Sequence, residues 1–119
     1  MKTLITVITF FLMINTYAEN TPSIDKEPVR LVMRKNSSGF KKCYDDELKN
    51  SPNIEGKVVL DWDISDTGEV KRASIKSSAL NNPNVENCML STLRTLKFPE
   101  APKGTDANIN YPILFGKNK

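Results

Sequence analysis

The sequence predicts an α+β domain: two helices packed on one face of a three-stranded antiparallel sheet, in the order helix-strand-strand-helix-strand, with one disulfide. Three observations carry this reading. Residues 56–70, GKVVLDWDISDTGEV, alternate apolar and polar side chains and then turn back on themselves. Two flanking stretches, 28–49 and 83–98, repeat apolar residues at spacings of three and four. Residues 107–115 return to strict alternation.

The N-terminus stands apart from this pattern. Lys2 precedes an apolar run from Leu4 to Met13, and Thr16-Tyr17-Ala18 follows. A basic start, an apolar run of signal length and small residues flanking Tyr17 predict a secretory signal peptide over residues 1–18, cleaved after Ala18. The run is short for a bilayer span, and no Cys follows it to carry a lipid anchor. Residues 19–27 are polar and contain Pro, and are expected to be a mobile leader. The domain is then placed at 28–116, with a tail at 117–119.

In the first helix Val29, Val32, Met33, Phe40, Cys43, Tyr44 and Leu48 form the apolar stripe. Pro28 suits a first helical turn and Asp25 a cap. Asn36-Ser37-Ser38-Gly39 are poor helix formers, but the stripe stays in phase across them, which predicts one helix with a soft middle ending at Asn50-Ser51-Pro52. Its opposite face carries Arg30, Arg34, Lys35, Lys41, Lys42 and Lys49, diluted by Asp45, Asp46 and Glu47; such a face is ordinarily solvated.

The hairpin comes next. Val58, Leu60, Trp62 and Ile64 share one face of its first strand; Lys57, Val59, Asp61 and Asp63 share the other. This describes a strand with one face in a core and one wet. Ser65-Asp66-Thr67-Gly68 supplies the turn, with Gly68 in the left-handed position. On the returning strand, 71–78, Ala73, Ile75 and Ser77 are expected to face the core. Val70 is out of phase with them, which points to a bulge beside Gly68. Asn82 then caps a second helix with Pro83 at its first position. Val85, Cys88, Met89, Thr92, Leu93 and Leu96 form the inner stripe, and Pro99 ends it. In the last strand Ile109, Tyr111, Ile113 and Phe115 alternate with Asn108, Asn110, Pro112 and Leu114. Pro112 cannot donate to a ladder, so this strand belongs at a sheet edge.

Composition excludes several functions. Lys and Arg number 17 against 14 Asp and Glu, a formal charge of +3, too mild to indicate nucleic acid. The chain has no His, so Ser-His-Asp and Cys-His catalysis are impossible. Neither a P-loop nor G-x-G-x-x-G occurs. Asp61, Asp63 and Asp66 suggest a cation loop, but Asp66 stands where an EF-hand needs Gly and Arg72 where it needs Glu; solvated carboxylates are the expectation. The two cysteines, Cys43 and Cys88, lack the spacing of a redox pair and the extra ligands of a zinc site. On a secretory route they are expected to be bridged, facing each other from the inner sides of the two helices. A loop of about 45 residues closed this way is worth roughly 4 kcal/mol in the chain-entropy account.

The segments CYDDEL (43–48), SPNIEGKVVLDWDISDTGEVKRASIKSS (51–78), VENCMLSTLRTLKFP (85–99) and INYPILF (109–115) together resemble the TonB-like C-terminal domains. The nearest subgroup is that at the C-terminus of the gliding-motility proteins AgmX and PglI. The resemblance implies a periplasmic or secreted module, part of a cell-envelope complex; the residues themselves single out no acid-base pair, cofactor motif or metal ligand set, so the expectation is a non-enzymatic protein without cofactor or metal. Its partner would be an envelope protein or peptide, with no nucleic acid and no small-molecule substrate. In TonB a partner peptide adds as a strand beside the last β-strand, which here is Asn108, Ile109, Asn110, Tyr111, Pro112, Ile113 and Leu114. Exposed edges offer the unpaired backbone groups this mode uses. The alternative the resemblance implies is a membrane-anchored energy transducer, with membrane contact only if the N-terminal segment is retained. The brief leader departs from the long Pro-rich spacer of such proteins.

Overall fold

A computed structural model describes residues 26–116; the expected signal segment 1–18 with its expected cleavage point at Ala18, the expected cap Asp25 and the expected tail 117–119 lie outside the described residues. The elements are α1 (Lys26–Lys35), α2 (Ser37–Leu48), β1 (Gly56–Ile64), β2 (Val70–Ser78), α3 (Pro83–Arg94) and β3 (Ala107–Phe115). The strands form one antiparallel sheet in the order β2-β1-β3. This is the α+β arrangement expected, with one difference: the first helical stretch is two helices.

The break falls at Asn36. Its backbone has left the helical region at φ −106°, ψ 14°, and its side-chain amide donates to the Val32 carbonyl at 2.8 Å. The Val32 carbonyl also keeps its bond from the Asn36 backbone N–H at 3.1 Å, so the side chain adds a second donor at the end of α1, of the kind by which Asn favours helix ends over interiors. The core stripe continues across the break: Val29 and Met33 from α1 and Phe40, Cys43 and Tyr44 from α2 are all buried. At the other end α1 begins at Lys26, so Lys26 and Glu27, expected in the leader, are helical.

β1 is the centre of the domain. Val58, Leu60, Trp62 and Ile64 are fully buried, as their alternation requires, and join side chains from all three helices in one cluster. The Trp62 ring meets Phe98 at 5.5 Å and Tyr111 at 6.5 Å between centroids. Its indole N–H has no acceptor among the described residues, a cost of about 1–3 kcal/mol for a buried donor.

The turn after β1 closes through Gly68 N–H donating to the Ser65 carbonyl at 2.9 Å, and Gly68 has φ +87°. A Cβ there would lie 2.2 Å from the Phe98 carbonyl oxygen, so glycine is required both by the backbone and by what packs on it. Phe98 N–H in turn donates to the Gly68 carbonyl. The segment after α3 is thereby fastened to the turn, and α3 ends earlier than expected, at Arg94 rather than before Pro99. Leu96 lies past the helix and packs against the core from the loop.

β2 departs from simple alternation twice. One register shift lies between Trp62/Ala73 and Ile64/Val70, the bulge expected beside Gly68. A second lies between Val59/Ser77 and Leu60/Ile75 and reverses the phase. Ser78 therefore stands opposite core-facing Val58 and Ser77 is exposed, a correction to the expected core position of Ser77. Ser78 Oγ accepts from the Leu80 and Asn81 N–H groups and starts the turn toward α3.

Asn82 caps α3 as expected, its side chain accepting from Val85 N–H at 3.0 Å. α2 and α3 lie antiparallel along rungs four residues apart: Gly39 beside Thr92, Cys43 bridged to Cys88, and Glu47 bonded to Asn84. The disulfide joins Cα atoms 5.6 Å apart. Cys43 is buried but Cys88 is exposed, so the bridge sits at the rim of the helix seam rather than within both inner faces. Glu47 is likewise buried and not part of the charged face. It accepts from Asn82 and Asn84 at the start of α3, where a helix N-terminus favours negative charge.

Replacing Trp62 by Ala is expected to cost about 3–5 kcal/mol in denaturant unfolding, and Trp62→Phe distinctly less, since the unpaired donor leaves with the indole. The hydrogen bond from Asn82, then that from Asn84, hold the Glu47 carboxyl below the usual range. A carboxylate lowered on folding contributes stability above its unfolded pKa and loses it as pH falls through the folded value. Stability should therefore decline below about pH 4, and Glu47→Gln should flatten that decline while lowering stability at pH 7. An unchanged acid limb would show that Glu47 does not drive it.

Candidate strand-accepting edge

The orientation of backbone groups along β3 follows from the ladder on the far side of β1. Ala79 N–H donates to the Lys57 carbonyl, and Ser65 N–H to the Glu69 carbonyl, both at 2.9 Å. Odd-numbered residues of β1 thus turn their backbone groups toward β2. Successive residues of a strand point to opposite sides, so Gly56, Val58, Leu60, Trp62 and Ile64 face β3. The regular register pairs these with Phe115, Ile113, Tyr111, Ile109 and Ala107. The backbone groups of Asn108, Asn110, Pro112 and Leu114 consequently point away from the sheet. Pro112, lacking an N–H, deprives the sheet of no bond; it only leaves a gap among the outward donors.

The side chains of the same residues divide between two faces. Ile109 and Phe115 are buried on the helix side, with Tyr111 and Ile113 half-buried there. Phe115 stacks on Tyr44 at 4.6 Å, and Tyr44 OH donates to the Ile54 carbonyl at 2.6 Å. Asn108, Asn110, Pro112 and Leu114 emerge on the outer face, and Leu114 is 76% exposed.

On that outer face a polar lattice holds β3 in register. Asn108 Nδ2 donates to the carboxylates of Asp61 and Asp63, each at 2.8 Å. Asn110 Nδ2 donates to Asp61 at 3.1 Å, and Asn110 Oδ1 accepts from Lys76 Nζ at 3.0 Å. From the opposite strand Arg72 reaches Asp61 and spans both oxygens of Asp63. The Asn108 and Arg72 hydrogen bonds hold Asp61 below the usual carboxylate range, and those from Arg72 and Asn108 do the same for Asp63. The two carboxylates are therefore paired across three strands instead of simply solvated. Asp66, the third of the sequence trio, points elsewhere and accepts from Gly104 N–H. Among the described residues no group of three or more His, Cys, Asp or Glu is placed to hold a metal ion.

On the inner side, two hollows follow β3 between its edge and the first two helices. One, of about 350 Å³, is lined by Lys26, Val29 and Arg30 against residues 109–112. The other, of about 380 Å³, is lined by Met33, Arg34, Phe40, Lys41 and Tyr44, among others, against residues 111–116. Tyr111 and Pro112 border both. The structure thus brings together, along one groove, the edge named from the sequence and part of the basic face of the first helical stretch. Arg30, Arg34 and Lys41 belong to the groove, whereas Lys35, Lys42 and Lys49 are not among its lining residues. Lys26 was absent from that face in the sequence reading because it fell in the presumed leader; its spacing of four from Arg30 was the available signal. Cys43 and Cys88 stand apart, on the α2–α3 seam.

No described helix is long and apolar enough to cross a membrane. The alternation of β3 is open to a direct check by amide hydrogen exchange. Ile109, Tyr111 and Ile113 should exchange more slowly than Asn108, Asn110 and Leu114 by a factor on the order of 100 or more, the difference between a laddered amide and an open one. Equal protection along the strand would show that the edge is covered. Comparison with protein-family models, with curated proteins and with solved structures returned no match.

Proposed function

We propose that this chain is a periplasmic or secreted protein-binding module of the TonB C-terminal type, an accessory component of a cell-envelope complex. It takes up an extended segment of a partner as a fourth strand beside β3. One observation supports this above the others: β3 pairs with β1 without a single register shift, its outward backbone groups unpaired by any described strand, above a groove. β-Augmentation uses such an edge, with backbone bonds supplying affinity and side-chain pockets supplying choice. The disulfide accords with an oxidising compartment.

Binding through backbone groups separates two substitutions at one position. Asn110→Ala removes the side-chain bonds to Asp61 and Lys76 but keeps the outward N–H, so it should retain partner capture within a few-fold. Asn110→Pro removes the N–H without breaking a bond to β1, so it should lose capture by ten-fold or more with its circular dichroism retained. Crosslinking pulldown from the native envelope measures both. A folded Asn110→Pro variant that captures at the wild-type level would remove the edge from consideration. Intact mass of the envelope-extracted protein tests the location: loss of residues 1–18 supports the soluble module, and a retained N-terminus supports the anchored transducer.

A further inference from the structure

The wall of the groove opposite β3 carries a row of cations. Lys26, Arg30 and Arg34 succeed one another at intervals of four along α1, and Lys41 continues the row on α2. All four are exposed. Among the described residues the only acidic side chain lining either hollow is Asp45, and it is paired with Lys41 at 2.7 Å. Arg30 has a loose contact with Glu27 at 3.8 Å. Lys26 and Arg34 have no ion pair among the described residues.

The row also runs in step with the edge. Lys26 and Arg30 lie beside residues 109–112, and Arg34 and Lys41 beside 111–116, so helix and strand progress in the same direction. Four helical residues rise about 6 Å, and two residues of an extended strand rise about 6.6–6.8 Å. A strand laid on β3 sends every second side chain toward the helices, and each such side chain meets about one member of the row. Over the two intervals of α1 the accumulated mismatch is about 1.5 Å, within the reach of Arg and Lys; Lys41, on α2, lies beyond the helix break and is placed by the lining of the second hollow.

We propose that the strand accepted at this edge is an acidic segment, with carboxylates at alternate positions directed into the groove against Lys26, Arg30, Arg34 and Lys41. The proposal rests on the strand-addition reading above and names the chemistry of its partner. A second copy of this chain is the poorer occupant, because pairing two β3 edges brings two cationic rows toward each other. Asn108, Asn110 and Leu114 on the outer face make no comparable demand for charge.

The test uses two fluorescein-labelled nine-residue peptides, identical except that one has Glu and the other Gln at every second position, with Val and Thr between. Exposed ion pairs each contribute a few-fold, so the Glu peptide should bind on the order of 10- to 100-fold more tightly by fluorescence anisotropy. That margin should shrink between 50 and 500 mM salt, approximate concentrations that move the screening length from above to below 10 Å. It should fall to a few-fold in the Arg30→Gln/Arg34→Gln variant, which keeps Lys26 and Lys41 and whose exposed substitutions keep the fold by circular dichroism. Asn110→Pro should abolish binding of both peptides. Equal binding of the Glu and Gln peptides overturns the acidic preference and leaves the edge reading standing. A Glu peptide that binds the folded Asn110→Pro variant as well as the wild type overturns the edge reading and, with it, the strand proposal. If neither peptide binds while native-partner capture remains sensitive to Asn110→Pro, the edge stands and the acidic partner is refuted. Concentration-dependent dimerisation through β3, seen by sedimentation without peptide, identifies a second copy as the occupant and refutes it equally.

Discussion

Val58, Leu60, Trp62 and Ile64 leave no surface to solvent, and this requires β1 to be paired along both flanks and roofed by side chains from all three helices. Full burial of such side chains is worth roughly 1.5–3 kcal/mol each, the scale of a whole domain's net stability when four are summed. Their face dictates where everything else sits. It forces the helices onto one side, leaves the other side to Asp61, Asp63 and their partners, and places β2 and β3 at the two margins. The turn at Gly68 extends this control to the segment after α3, which docks on the hairpin through Phe98.

The second fixed point is the seam between α2 and α3. Gly39, Cys43 and Glu47 occur at intervals of four, as do Asn84, Cys88 and Thr92, and antiparallel packing sets them opposite one another in reverse order. Glycine permits close approach at one end, a covalent bond holds the middle, and a buried carboxylate with two amide donors closes the other end. α1 is outside this arrangement. It enters the core through Val29 and Met33 and leads into α2 through the break at Asn36. The position of one groove wall is thus set by two buried side chains and one helix break.

How much of this was legible in the sequence varies with the range of the interaction that decides each feature. The alternation of β1, the turn at Gly68, the Asn82 cap and the edge placement implied by Pro112 depend on period, conformation or a missing donor, all local properties. The second bulge in β2 was invisible because it arises from matching Ser78 to Val58 across the hairpin, and alternation within a single strand contains no record of its neighbour. Glu47 was counted as surface charge because acidic residues seldom lie buried; only the arrival of Asn82 and Asn84 makes its position tolerable. The basic row was read as a solvated face, which was fair for an isolated helix. Its relation to β3 spans most of the chain, and no spacing rule reports which members of the row come to border a strand so far along the sequence.

The two margins of the sheet are not alike. β2 bulges twice and presents Lys71, Arg72 and Lys76 along its course, features that discourage pairing with another strand. β3 is regular over its full length, with Pro112 as the single interruption among its outward donors. A sheet open at both margins is bivalent, and head-to-tail pairing of bivalent units has no natural end. A sheet open at one margin is monovalent. Its growth terminates at the first strand received, so any assembly built on it has a defined stoichiometry and does not propagate into a fibre.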